Sequence, residues 1–268
     1  MKRRRFLIPF LSGLIACFLT ISCAGAPLNS RPSSDQTVTL TLSAAASLQD
    51  VLEAIAPQFR EAHPNIAVDY NFGSSGTLQQ QIEQGAPADL FFSAAAKQMD
   101  ALADKGLIVP DSRRNLVTNS LVLIAPKAST LDITDIAQLK DAAVTHFAVG
   151  EFRSVPAGQY AEQVLTKLDL LETLRPKFVF GSNVRSVLSA VESGSAELGM
   201  VYATDAALSD RVKVLTTVPA GSHQPIVYPI AVVKASPHPE AAQTLIDFLA
   251  GDEAQKTFAE FGFGQAQS

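Results

Sequence analysis

Ala44-Ala45-Ala46-Ser47-Leu48-Gln49-Asp50 stands where one hydrophobic periodicity gives way to another. Before it, Val38-Thr39-Leu40-Thr41-Leu42 alternates apolar residues with threonine, the period-two pattern of a half-buried strand. After it, Leu48, Val51, Leu52, Ile55 and Phe59 recur at helical spacing and predict a helix with one apolar face. Ser47 therefore falls at a strand-to-helix turn, and two readings of it are open. Ser47 and Asp50 match the S-x-x-[DE] capping box, in which the serine merely caps the helix. The same geometry offers an anion the free N–H groups and partial positive charge of a helix N-terminus.

The junction recurs down the chain. Ile66 to Phe72 alternates as a second strand, runs into Gly73-Ser74-Ser75-Gly76-Thr77, and is followed by a helical segment from Leu78 to Glu83 that Gly85 stops. The Gly/Ser loop suits a plain tight turn; it has neither the Gly-Lys-Ser/Thr ending of a P-loop nor the G-x-S-x-G of a nucleophile elbow. Ala88 to Phe92 reads as a buried strand, and Met99 and Leu102 mark a helix with Gly106 as its C-cap. From Ser120 the pattern restarts with strands at Leu121 to Ala125 and Val144 to Val149. Gly150 then leads through Val155-Pro156-Ala157-Gly158 into a helix carrying Tyr160, Val164, Leu165 and Leu168. Proline favours the first helical turn, which puts Ala157 where backbone N–H groups are free, though a plain loop-to-helix join reads equally well. Phe178 to Phe180 is a strand, and Gly181-Ser182-Asn183-Val184 opens a helix with Val184, Val187, Leu188 and Val191 on one face. The apolar strand Leu198 to Tyr202 ends in a tyrosine that reads as packing more readily than as ligand contact. Ile226 to Val233 is extended, and Ala241, Leu245, Ile246, Phe248 and Leu249 face a last helix before a Phe-rich tail at Phe258, Phe261 and Phe263. Alternating strands and helices predict largely parallel sheets, with loops at the strand carboxyl ends available to a ligand.

At 268 residues the chain has material for one large or two modest domains. Its start differs from the rest: Lys2-Arg3-Arg4-Arg5 precedes an apolar run from Phe6 to Ile21, the pattern of a secretory signal over residues 1–22. Leu19-Thr20-Ile21-Ser22-Cys23 resembles a bacterial lipoprotein box, in which the cysteine is lipidated and becomes the first residue. Cys17 fits locally, but processing there would leave Phe18-Leu19-Thr20-Ile21 at the mature terminus, whereas Cys23 leads into a small, polar, proline-containing tether over 23–36. The Arg3-Arg4-Arg5 run also weakly resembles a twin-arginine export signal. The only two cysteines lie in this segment, so the folded part has no disulfide and no thiolate metal site. Loss of these four cations from the 21 Lys+Arg leaves 17 against 26 Asp+Glu, a formal net of −9, which argues against nucleic acid as a partner. An anionic ligand would gain nothing from that overall field and needs local dipoles instead.

Taken together in this order, Ala44 to Leu48, Gly73 to Leu78, Gly85-Ala86-Pro87-Ala88-Asp89-Leu90-Phe91, Val155 to Gly158, Val201-Tyr202 with Asp205-Ala206, and Tyr228 to Val233 resemble the periplasmic molybdate-binding proteins of ABC transporters. The resemblance runs from Val38 to Phe263 and implies an α/β, two-lobed, type II periplasmic-binding-protein fold. Each lobe is then a mixed, mainly parallel sheet flanked by helices, and two crossover strands join them. It implies lobe one at 37–119 plus 228–268 and lobe two at 120–227. It further implies an oxyanion, molybdate or tungstate, held through its oxygens by Ser47 and Ser75 of lobe one, the N–H groups of Ala157 and Val184, and the Tyr202 hydroxyl. Gly76 departs from the family, which often has a third serine there. The expected protein is a monomeric, lipid-anchored, extracytoplasmic binder that serves an ABC permease, needs no cofactor and catalyses nothing. Two other readings remain: the same fold binding sulfate, phosphate or an iron chelate, and a secreted serine hydrolase, which would need a histidine near Ser47 or Ser75. Arg185, next to Val184, is the cation whose entry into the site would replace fit by charge.

Overall fold

The computed structural model describes residues 37–266. The predicted signal segment, Cys23 and the whole of the tether lie outside the described residues. The chain builds strands β1 (Val38–Ala45), β2 (Ile66–Gly73), β3 (Leu90–Phe92), β4 (Arg114–Thr118), β5 (Leu121–Pro126), β6 (Phe147–Gly150), β7 (Phe178–Gly181), β8 (Leu198–Tyr202), β9 (Val212–Thr217), β10 (Val227–Val232) and β11 (Gly264–Gln265). Its helices are α1 (Gln49–Ala62), α2 (Ser75–Glu83), α3 (Ala96–Asp104), α4 (Pro156–Lys167), α5 (Leu171–Leu174), α6 (Val184–Glu192), α7 (Ala203–Ala207), α8 (Pro239–Ala250) and α9 (Asp252–Glu260).

These strands form two open mixed sheets, ordered β11-β4-β10-β3-β1-β2 and β7-β6-β8-β5-β9, each flanked by helices. We call them lobe one and lobe two. In lobe one, β1 lies between β2 and β3, parallel to both, and is buried on both faces from Leu42 onward. Burying one leucine such as Leu40 or Leu42 contributes about 1.5–3 kcal/mol, so the register of β1 is strongly held. That register sets Ala45 opposite Gly73 and Ala44 opposite Phe92, bringing the carboxyl ends of β1, β2 and β3 side by side. In lobe two, β6 is parallel to β7 and β8, and Gly150 faces Gly181, so the loops leading to α4 and α6 emerge together. Antiparallel pairing is confined to β10 and β11 in lobe one and to β5 with β8 and β9 in lobe two. The chain crosses between lobes at 119–120 and again at 218–226, and the Asn119 N–H donates to the Ile226 carbonyl at 3.2 Å where the crossings meet.

Several elements differ from the sequence reading. The Phe-rich tail contains a helix of its own, α9, which buries Phe258 and sets Phe263 against Tyr228. Strands β4 and β9 had no counterpart in that reading. Helix α2 starts at Ser75 rather than Leu78, because the Ser74 side chain caps it by accepting from the Thr77 N–H at 3.2 Å. Strand β6 begins at Phe147, not Val144, since the Thr145 and His146 N–H groups donate to the Glu197 carboxylate.

Candidate functional site

Where the carboxyl ends of the two sheets meet, a small pocket of about 10 Å³ is lined by Ser47, Ser75, Ala157, Val184 and Tyr202 together with Ala45, Ala46, Gly73, Ser74, Ala94, Val155, Pro156 and Asn183. All five residues singled out in the sequence thus reach one pocket, two from lobe one and three from lobe two. Lining residues the sequence reading passed over include Ser74, the cap of α2, and Asn183, which caps α6 through a reciprocal pair with Ser186. Both were legible as cap-type residues directly before an apolar helical period.

Ser47 lies in a 3₁₀ turn, Ala46–Leu48, between β1 and α1. The capping-box reading of Ser47 fails: neither this turn nor α1 has a side-chain cap, and Asp50 turns instead to Arg185. The Ser47 hydroxyl meets the Tyr228 hydroxyl at 3.1 Å. Ser75, fully buried, accepts the Ala94 N–H at 2.9 Å, which leaves its own proton for another acceptor. Ala157 follows the first-turn proline of α4, and Val184 is the first residue of α6. Both stand where the helix supplies no carbonyl to their N–H groups. The Tyr202 hydroxyl makes only a long contact, 3.5 Å, to the Ala94 carbonyl across the lobes. Burial, with Tyr228 alongside, raises the Tyr202 hydroxyl well above its ordinary range, so it is a neutral donor.

Arg185 is not in the lining. Its Nη2 lies 2.6 Å from Asp50 Oδ2 of lobe one, and its Nε lies 2.7 Å from Asp205 Oδ1 of α7, both ion pairs outside hydrogen-bond angles. With two carboxylates against one guanidinium, its charge is met locally. The histidines lie elsewhere: His146 contacts Thr145 and Glu197, His223 the ring of Tyr160, and His63 those of Phe59 and Phe248, and no histidine is in the lining. A serine hydrolase would need one beside Ser47 or Ser75.

Lobe contact is close around the pocket. The Gly76 N–H donates to the Ser154 carbonyl at 2.9 Å, and Gln98 Nε2 to Gln159 Oε1 at 3.0 Å. Chemically the lining offers hydroxyl and amide donors with no formal charge. That suits an anion: burying it unpaired is prohibitive, donors at helix starts meet its charge, and no counter-ion traps it.

The family model for bacterial extracellular solute-binding proteins matches residues 40–264. The chain is 42% identical over 254 residues to the putative ABC transporter substrate-binding lipoprotein YvgL of Bacillus subtilis, covering 95% of this chain and 96% of that one. It is 42% identical over 229 residues to the molybdate-binding protein ModA of Escherichia coli, covering 84% of this chain and 88% of the relative. Among solved structures, the periplasmic molybdate-binding protein of Azotobacter vinelandii superposes with a TM-score of 0.78 at 29% identity, over 85% of this chain and 100% of that chain.

Proposed function

The chain belongs to the bacterial extracellular solute-binding protein family, and from that premise we propose that it captures molybdate, and tungstate with it, in the pocket between its lobes and delivers it to the permease of an ABC importer. The observation that carries this reading is the pocket lining, which joins Ser47, Ser75, the first turns of α4 and α6 and Tyr202 from both lobes and holds no charged side chain. The relatives named for molybdate supply the identity of the ion. As a solute-binding protein the chain is a transport component that works outside the cytoplasm; its task is binding and release.

Selectivity follows from the neutral lining. Among dianions of equal charge, fixed donors discriminate by size, and a site that suits molybdate leaves smaller sulfate short of some of them. Each unmade bond to a charged group costs roughly 1.5–3 kcal/mol, so losing two weakens binding at least about a hundredfold. Competition calorimetry with molybdate, tungstate, sulfate and phosphate tests this. Molybdate and tungstate are expected to bind alike and far above the others, and Ser75→Ala and Tyr202→Phe to weaken both. Sulfate bound as tightly as molybdate would overturn the reading.

The anchoring is a further part of the proposal: Cys23 carries the lipid and residues 24–36 form the tether, in keeping with the relative named a lipoprotein. Mass spectrometry of the native N-terminus should find a lipidated Cys23, and a mature chain that begins elsewhere would refute it.

A further inference from the structure

Ser47 Oγ lies 3.1 Å from Tyr228 Oη, and in such a pair one hydroxyl donates while the other accepts. The crossing between the lobes biases the direction. Asn119 sits there between β4 and β5, with Oδ1 2.8 Å from the Ser120 N–H, a group that can only donate. The amide is thereby oriented, and the protons of its Nδ2 reach Thr204 Oγ1 at 2.9 Å and Tyr228 Oη at 3.3 Å. Tyr228 accepts from Asn119, which leaves its own proton for Ser47. Ser47, accepting that proton, keeps its own for the pocket. Tyr228 is fully buried between the rings of Tyr202 and Phe263, at 5.8 and 5.6 Å, so its hydroxyl has no solvent to turn to.

We propose that Asn119 and Tyr228 are positioning residues for anion capture: a one-way chain of hydrogen bonds, running from the inter-lobe crossing to the pocket, holds the Ser47 hydroxyl as a donor to the bound oxyanion. The proposal rests on Ser47 being an anion contact, as argued above. It also bears on specificity. With Ser75 already accepting the Ala94 N–H, both serines are set to donate, which suits a fully ionised dianion such as molybdate. Monohydrogen phosphate brings an O–H of its own and meets donors on these two sides. The other Nδ2 proton of Asn119 goes to Thr204 of lobe two, whereas Ser47 and Tyr228 belong to lobe one, so the amide that starts the chain sits where the lobes join.

The test is a double-mutant cycle read by calorimetry with molybdate and with phosphate. Tyr228→Phe keeps the ring and removes the hydroxyl, and it is expected to weaken molybdate binding about tenfold, the value of one hydrogen bond. In a Ser47→Ala background the same change is expected to have no further effect. Asn119→Asp replaces the donor by an isosteric acceptor, turns the Tyr228 proton away from Ser47, and makes Ser47 spend its own proton on Tyr228. It should lower molybdate affinity more than phosphate affinity, again only while Ser47 is present. The added charge acts in both backgrounds, so the cycle separates it from the chain's polarity. If Tyr228→Phe does not fold, by circular dichroism, the Asn119→Asp cycle decides alone. Wild-type molybdate affinity in Tyr228→Phe, or equal losses with and without Ser47, overturns the proposal. Ser47→Ala with wild-type affinity would overturn the pocket assignment itself and the chain with it.

Discussion

Asp205 is fully buried, and burial pushes its carboxyl up to about 7 while Arg185 pulls the other way. The unfolded chain gives up that proton near the ordinary aspartate value of 3.8. Between these values the folded protein holds a proton that the unfolded chain lacks, so this group's contribution to stability falls as pH rises from about 4 to about 7 and is level above. Urea unfolding across that range should show the fall in the wild type and a flatter profile in Asp205→Asn, with a difference on the order of 4 kcal/mol between its ends. Single residues were legible where they sit at a change of period. Ser47, Ser75, Ala157 and Val184 all begin helices after strands, and their meeting in one pocket follows from that placement. The partners of Ser47 and Arg185 were not legible. Tyr228 lies 181 positions from Ser47, and Asp50 comes from the other lobe, so local spacing carries no trace of either contact.

Among elements, the N-terminus of α2 makes the tightest demand. A Cβ on Gly76 would stand 2.5 Å from the Ser154 carbonyl oxygen and 2.6 Å from its Cα, both backbone atoms that cannot swing aside. Gly76 is therefore where lobe two rests on lobe one. Gly76→Ala is expected to weaken molybdate binding at least tenfold while leaving the thermal midpoint of the ligand-free protein within a few degrees, since the substitution obstructs approach of the lobes and not the core of either. Calorimetry beside thermal unfolding checks both halves. Strong periods made α1, α4, α6 and β8 readable. The strands β4 and β9 were not, because polar residues such as Arg114, Asn115 and Lys213 interrupt their apolar ones. Helix α9 was hidden for a related reason: it buries only Ala254, Thr257 and Phe258, too narrow a stripe to stand out as a helical period.

At the scale of the molecule, donors from both lobes surround the pocket, so a bound anion bridges the two. X-ray scattering should give a smaller radius of gyration with saturating molybdate than without, and a hundredfold excess over the dissociation constant should add about 2.7 kcal/mol of stability. The two-lobed plan came with the family resemblance, to which the restart of the strand-helix pattern at Ser120 adds; the antiparallel borders of the sheets were not legible, since pairing direction leaves no mark on a strand's own sequence. Sheet order has one more consequence, for the sequence of events when the chain folds. Strand β10 is inserted between β3 and β4, and β4 pairs only with β10 and β11, all of lobe two lying between them in the chain. Lobe two is continuous, so its sheet closes without strands from the other lobe, whereas the lobe that starts first has to be completed last. Pulse-labelling hydrogen exchange during refolding should find amides of β5, β6 and β8 protected before those of β4 and β10, and the reverse order would mean that the late strands recruit the early ones before the intervening lobe has formed.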